Sequence, residues 1–162
     1  MTRLRIGATF LSAALLALGL PLVQANAHHG FSGAYDATAP LYIEGRVQNV
    51  ILSYPHVEMT VEVAETAEIP ADLPDIENLG IDDVPGIITV VEPGSYELQI
   101  AGTEFVSLLD GRIAQGDRIA LVALRNCLPP HEYRSRWIRL ASGDVVSNSG
   151  PTQAEVQGCE GE

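Results

Sequence analysis

The stretch "SYELQIAGTEFVSLLDGRIAQGDRIALVAL", residues 95–124, changes its hydrophobic period twice, and those changes decide the fold. In the first part Tyr96, Leu98 and Ile100 alternate with polar residues, the two-residue period of a strand with one face in water. From Thr103 the period lengthens. Thr103 can cap a helix, Phe105, Leu108 and Leu109 share one helical face, and Gly111 suits the stop. After the Gly116-Asp117 turn, "RIALVAL" restarts a strand. A short helix is thus set between two strands.

Working outward, the upstream residues supply two more strands. "HVEMTVEV" places Val57, Met59, Val61 and Val63 on one parity and Glu58, Thr60 and Glu62 on the other. "LYIEGRVQNVIL" alternates from Leu41 to Val47, with Gly45 on the inner parity, where a glycine marks a bulge or tight bend. The short link "SYP" makes these two a hairpin. Downstream, "SRWIRLASGDVV" supplies a last strand or hairpin. Three strands, a helix and two strands is the order of an OB-fold, an all-β five-stranded Greek-key barrel. A seven-stranded β-sandwich is the alternative, for which the strands are few. Residues 64–95 read as an acidic, proline-rich insertion, largely loop, with "GIITVV" as an extra strand. It has eight acids but lacks the Asp-x-Asp-x-Asp-Gly register of a calcium loop.

The chain opens with Arg3 and Arg5, an uncharged run from Ile6 to Leu20, and an Ala25-x-Ala27 cleavage pattern. That is the layout of a secretory signal peptide over residues 1–27. It predicts export to the periplasm, a mature chain starting at His28 and no membrane span thereafter. Cleavage leaves 162 − 27 = 135 residues, enough for one domain at 28–149 with a tail at 150–162. It also removes two of the nine basic residues and none of the 21 acids, so the formal charge becomes 7 − 21 = −14. All the basic residues are arginines. Such a balance favours solubility and disfavours nucleic acid, whose non-specific affinity comes from neutralised phosphates. The two cysteines, Cys127 and Cys159, predict a disulfide tethering the tail; a copper-binding thiol pair is the rival, weakened by their wide separation.

Three segments, "AHHGFSGAYD", "LYIEGRVQNVILSYPHVEMTVEV" and "LLDGRIAQGDRIALVAL", together resemble a family of small secreted bacterial proteins of unknown function. That family has an Ala-His-His start, a Gly-x-Val strand, an Asn-Pro-His strand start and a later Gly-Asp turn. Tyr54 stands where the family has Asn, and the acidic insertion is long for it. The resemblance implies a small periplasmic β-barrel-like domain and carries no activity.

If cleavage falls after Ala27, His28 owns both an imidazole and a free α-amine, which together chelate a metal in a six-membered ring. The amine loses its proton to a transition metal near neutral pH. This start looks like the histidine brace of copper-dependent polysaccharide monooxygenases and some periplasmic copper carriers. Three nitrogens suit Cu(II) first, with zinc second. The third nitrogen would come from His56, on the polar parity of the second strand, or locally from His29. His131, in "LPPHEYRSRW", is the remaining candidate, and Asp36 or Glu44 can serve as an acid orienting a histidine. The rival expectation is a frayed end without metal. Arg125, Arg134, Arg136 and Arg139, with Tyr133 and Trp137, can meet an anion or sugar, but the more economical reading pairs them with carboxylates. No serine lies in a Gly-x-Ser-x-Gly context and no catalytic residue is assigned, so a non-enzymatic protein is favoured over an enzyme. Without metal, the alternative function is an envelope adaptor or ligand-binding module with a protein partner.

Overall fold

A computed structural model describes residues 35–148 and Cys159. Its strands are β1 (Leu41–Leu52), β2 (Val57–Val63), β3 (Thr89–Val90), β4 (Gly94–Ile100), β5 (Arg118–Arg125), β6 (Tyr133–Arg139) and β7 (Val145–Ser147). Two short helices, α1 (Val84–Ile87) and α2 (Glu104–Leu109), complete the list with a 3-10 turn at Ile76–Leu79. The strands pair in the order β2-β4-β6-β5-β1, and β1 pairs back with β2, so five of them close on themselves. All these contacts are antiparallel except β4 with β6, which is parallel. With α2 lying between β4 and β5 in the chain, this is the OB-like barrel expected from the order of periods. The extra strands are small: β3 beside β1, where the insertion was expected to add one, and β7 as the hairpin partner of β6.

Closure runs through β1. Leu41 to Arg46 pair with β5, and Arg46 to Leu52 pair with β2, with a register shift between Val47 and Asn49. Gly45 sits where the strand passes from one partner to the other. A Cβ there would lie 2.3 Å from the main-chain oxygen of Glu62 and 2.8 Å from Val61 Cγ1, so only glycine fits.

The barrel interior is built from the inner parities. Ile43, Val47, Val57, Val61, Ile100, Leu121 and Ile138 are essentially inaccessible, and α2 adds Phe105 and Leu109 to the same cluster. Leu108, expected on that face, is 41% exposed. In a six-residue helix the buried sector is set by Phe105 and Leu109, one turn apart, and Val106 rather than Leu108 falls beside them. Thr103 occupies the position before the helix, but its side chain makes no capping hydrogen bond. Gly111, at φ +68°, does end the segment in the left-handed conformation.

The insertion is not only loop. Its eight acids are exposed, as a solvated segment requires, yet between them Leu73, Leu79, Val84 and Ile88 are buried. They form a second core outside the barrel with Tyr42, Ala120, Val122 and Trp137. Residues 64–93 are therefore a strap laid over the outer wall of β1, β5 and β6. Trp137 Nε1 donates to the carbonyl of Pro74 at 2.7 Å, and Arg139 Nη2 donates to the carbonyl of Asp72 at 2.7 Å. Arg139 also lies 5.4 Å from the centroid of the Trp137 ring. The strap explains why β5 is buried along its length rather than alternating.

Trp137→Phe keeps the apolar bulk and removes the single donor to Pro74. The expected cost is about 1–2 kcal/mol in urea unfolding, together with faster limited proteolysis within residues 64–93. Cleavage there at the wild-type rate would show that this hydrogen bond does not hold the strap.

Candidate functional site

The connection between β5 and β6, residues 126–132, is a compact turn stabilised by its own groups. Asn126 Oδ1 accepts the Leu128 amide at 2.9 Å, the Asn126 amide donates to Glu132 O at 2.8 Å, and the His131 amide donates to Leu128 O at 2.9 Å. His131 has φ +60°, an uncommon conformation for a residue with a side chain. Its Nδ1 lies 2.9 Å from the Asn126 carbonyl. A carbonyl only accepts, so Nδ1 carries the hydrogen and Nε2 keeps its lone pair. This is the arrangement by which metal-ligating histidines are oriented.

The N-terminal side of the described chain meets the same turn. Tyr35 forms an isolated antiparallel bridge with Asn126, and the Asp36 amide donates to Arg125 O at 2.9 Å. Tyr35 is 2% exposed and packs with Ala37 and Leu124. The Arg134 guanidinium covers its ring at 4.9 Å while donating to Gln99 Oε1 at 2.8 Å. The C-terminal side meets the turn too, because Cys127 and Cys159 form the expected disulfide, with Cα atoms 5.2 Å apart across 32 residues.

His56 immediately precedes β2, on the parity of Glu58, and is half-buried. Its Nδ1 is enclosed and has no hydrogen-bond partner among the described residues. Burial, and then the nearby Arg134 charge, hold its pKa below the ordinary 6.5, with Glu58 opposing weakly. The ring is thus held neutral, the form that binds metal. Arg134 therefore adjoins both Tyr35 and His56, while Tyr35 bridges to the turn that carries His131. His28 and His29 lie outside the described residues. Among the described residues no group of three or more His, Cys, Asp or Glu side chains is placed to hold a metal ion.

Other sequence candidates are placed elsewhere. Asp36 accepts from the Thr38 amide and hydroxyl, and Glu44 binds Arg118 at 2.8 Å and the Tyr42 hydroxyl at 3.0 Å, and among the described residues neither carboxylate meets a histidine. Trp137 is fully buried, and Arg134 and Arg136 are each 8% exposed. The β6 cluster is therefore not an open anion or sugar surface. The arginines seen in ion pairs among the described residues are Arg112, with Asp144, and Arg118, with Glu44. Arg139 instead meets the Asp72 carbonyl and the Trp137 ring.

The closed five-strand order with its parallel β4–β6 contact defines an OB-like barrel protein. No protein-family model matches the chain, and no curated protein matches it. Among solved structures the chain is similar to the mitochondrial single-stranded DNA-binding protein Rim1 of S. cerevisiae. The two share 9% identity over 67% of this chain and 94% of that one, with a TM-score of 0.38.

The depressed His56 pKa has a stability consequence of definite sign. The unfolded chain binds a proton near pH 6.5 that the folded chain resists, so stability is full above that value and falls as the pH drops through it. Denaturation measured across about pH 5 to 8 should show a slope that His56→Gln removes. An unchanged slope in that variant would assign the effect to other groups.

Proposed function

We propose that the protein is exported to the periplasm by a cleaved signal peptide at residues 1–27 and binds a transition metal, copper first, through its mature N-terminal His28. The amine and imidazole of His28 are two of the nitrogens, and the third comes from His131, His56 or His29. The observation that carries this reading is the bridge between Tyr35 and Asn126. It ties the chain seven residues after His28 to the residue whose carbonyl orients His131. Seven residues reach at most about 25 Å, a span of chain that supports the reading. The neutral His56 is the competing third ligand. Binding, storage or delivery of the metal asks nothing further of the chain, and no catalytic group is invoked.

A second reading, a non-enzymatic envelope adaptor without metal, is favoured by the exposed acidic wall described below. Neither reading involves nucleic acid. The outer faces of β2 and β4 carry Glu58, Glu62 and Glu97, all exposed, and such a surface repels phosphate rather than releasing its counterions.

Calorimetric titration of the protein matured at His28 should give one Cu(II) per chain. One extra glycine before His28 destroys the chelate and should weaken binding by at least about tenfold. His131→Ala and His56→Ala separate the third ligand, since only the true one alters the nitrogen hyperfine pattern of the Cu(II) resonance spectrum. Equal uptake by the glycine-extended and native forms would overturn the proposal.

A further inference from the structure

The strap covers one wall of the barrel, and among the described residues no such cover lies on the opposite wall. On that side the outward residues of β1, β2 and β4 form a grid. Ile51 stands opposite Glu58 and Glu58 opposite Gln99, while Asn49 stands opposite Thr60 and Thr60 opposite Glu97. Glu58 and Glu97 are therefore diagonal neighbours carrying like charge. The grid floors a cleft of about 390 Å³, which Glu132 and Tyr133 close from the β5–β6 side. Among the described residues the carboxylates of Glu58, Glu97 and Glu132 have no hydrogen bond or ion pair, and Arg134, which stands opposite Gln99, is already engaged by Gln99 and Tyr35.

Exposed apolar side chains adjoin the grid at Ile51, which lines the cleft, and at Tyr54, three residues further along the chain. Ile51 is 46% exposed and Tyr54, at the tip of the β1–β2 hairpin, is 68% exposed. Large apolar side chains beside uncompensated carboxylates, around a cleft, suit a ligand that is at once cationic and apolar. We propose that this wall docks an extended segment of a partner protein that carries arginine or lysine beside aliphatic residues. The cations would lie over Glu58, Glu97 and Glu132, and the aliphatic groups would lie against Ile51 and Tyr54. A second copy of this chain does not fit, because its own net charge is −12. A bare polyamine satisfies the acids but leaves the apolar rim unused. The proposal is independent of the metal, since it uses none of the histidines.

The test uses a fluorescein-labelled peptide of alternating arginine and leucine, with anisotropy read at low ionic strength. The triple variant E58Q/E97Q/E132Q should lose at least about tenfold in affinity, and Tyr54→Ala should weaken binding several-fold. The charge-matched strap variant E68Q/E77Q/D82N should keep the wild-type affinity. Circular dichroism verifies that each variant is folded, which surface substitutions of this kind allow. No binding by the wild type, or an equal loss in the strap variant, would overturn the proposal. So would spermidine competing as well as the peptide, because the apolar rim would then have no role.

Discussion

The barrel depends on one strand serving two neighbours, and that strand depends on a missing Cβ. β1 leaves β5 and takes up β2 around Gly45, where the main chain of Glu62 comes too close for any side chain. Closure leaves the five barrel strands without a free edge, which removes the commonest route to unwanted strand addition. It also gives β1 two faces with different duties. Ile43 and Val47 turn into the barrel, while Tyr42 turns out into the second core. Burial and its hydrogen bond to Glu44 push the Tyr42 phenol well above its usual range, so it stays a neutral donor there.

Parity made the barrel legible. Val57, Met59, Val61 and Val63 are buried as their alternation requires, and Phe105 and Leu109 place α2. The second core was not read, although its signal was present. "IALVAL" is an unbroken apolar run, which in a strand means cover on both faces. Val122 and Trp137 point outward from β5 and β6 and needed something to bury them. That something is the strap, whose apolar residues follow neither helical nor strand period because it is held by tertiary contacts. Composition showed the eight exposed acids and hid the buried residues between them.

The histidines divide the same way. Parity placed His56 on the polar side, but its depressed pKa comes first from its half-burial and then from the charge of Arg134, a residue far away in the chain. His131 looked like an ordinary loop residue. Its fixed tautomer and left-handed backbone follow from the Asn126 carbonyl and from the turn around it, which no spacing rule reveals. The burial of Arg134 and Arg136 was not legible either, since it depends on tertiary neighbours, such as the Tyr35 ring under Arg134, that parity does not reveal.

Both ends of the described chain fasten to the same few residues: Tyr35 and Asp36 to Arg125 and Asn126, and Cys159 to Cys127. This has a mechanical consequence. A pull applied between residues 35 and 159 is taken up at the end of β5 and in the turn after it, and bypasses most of the barrel. The first bonds to feel the load are the bridge at Asn126 and the hydrogen bond at Arg125, while the disulfide fixes the other end covalently. The domain is thus shielded from tension carried along its own chain until the N-terminal anchor slips.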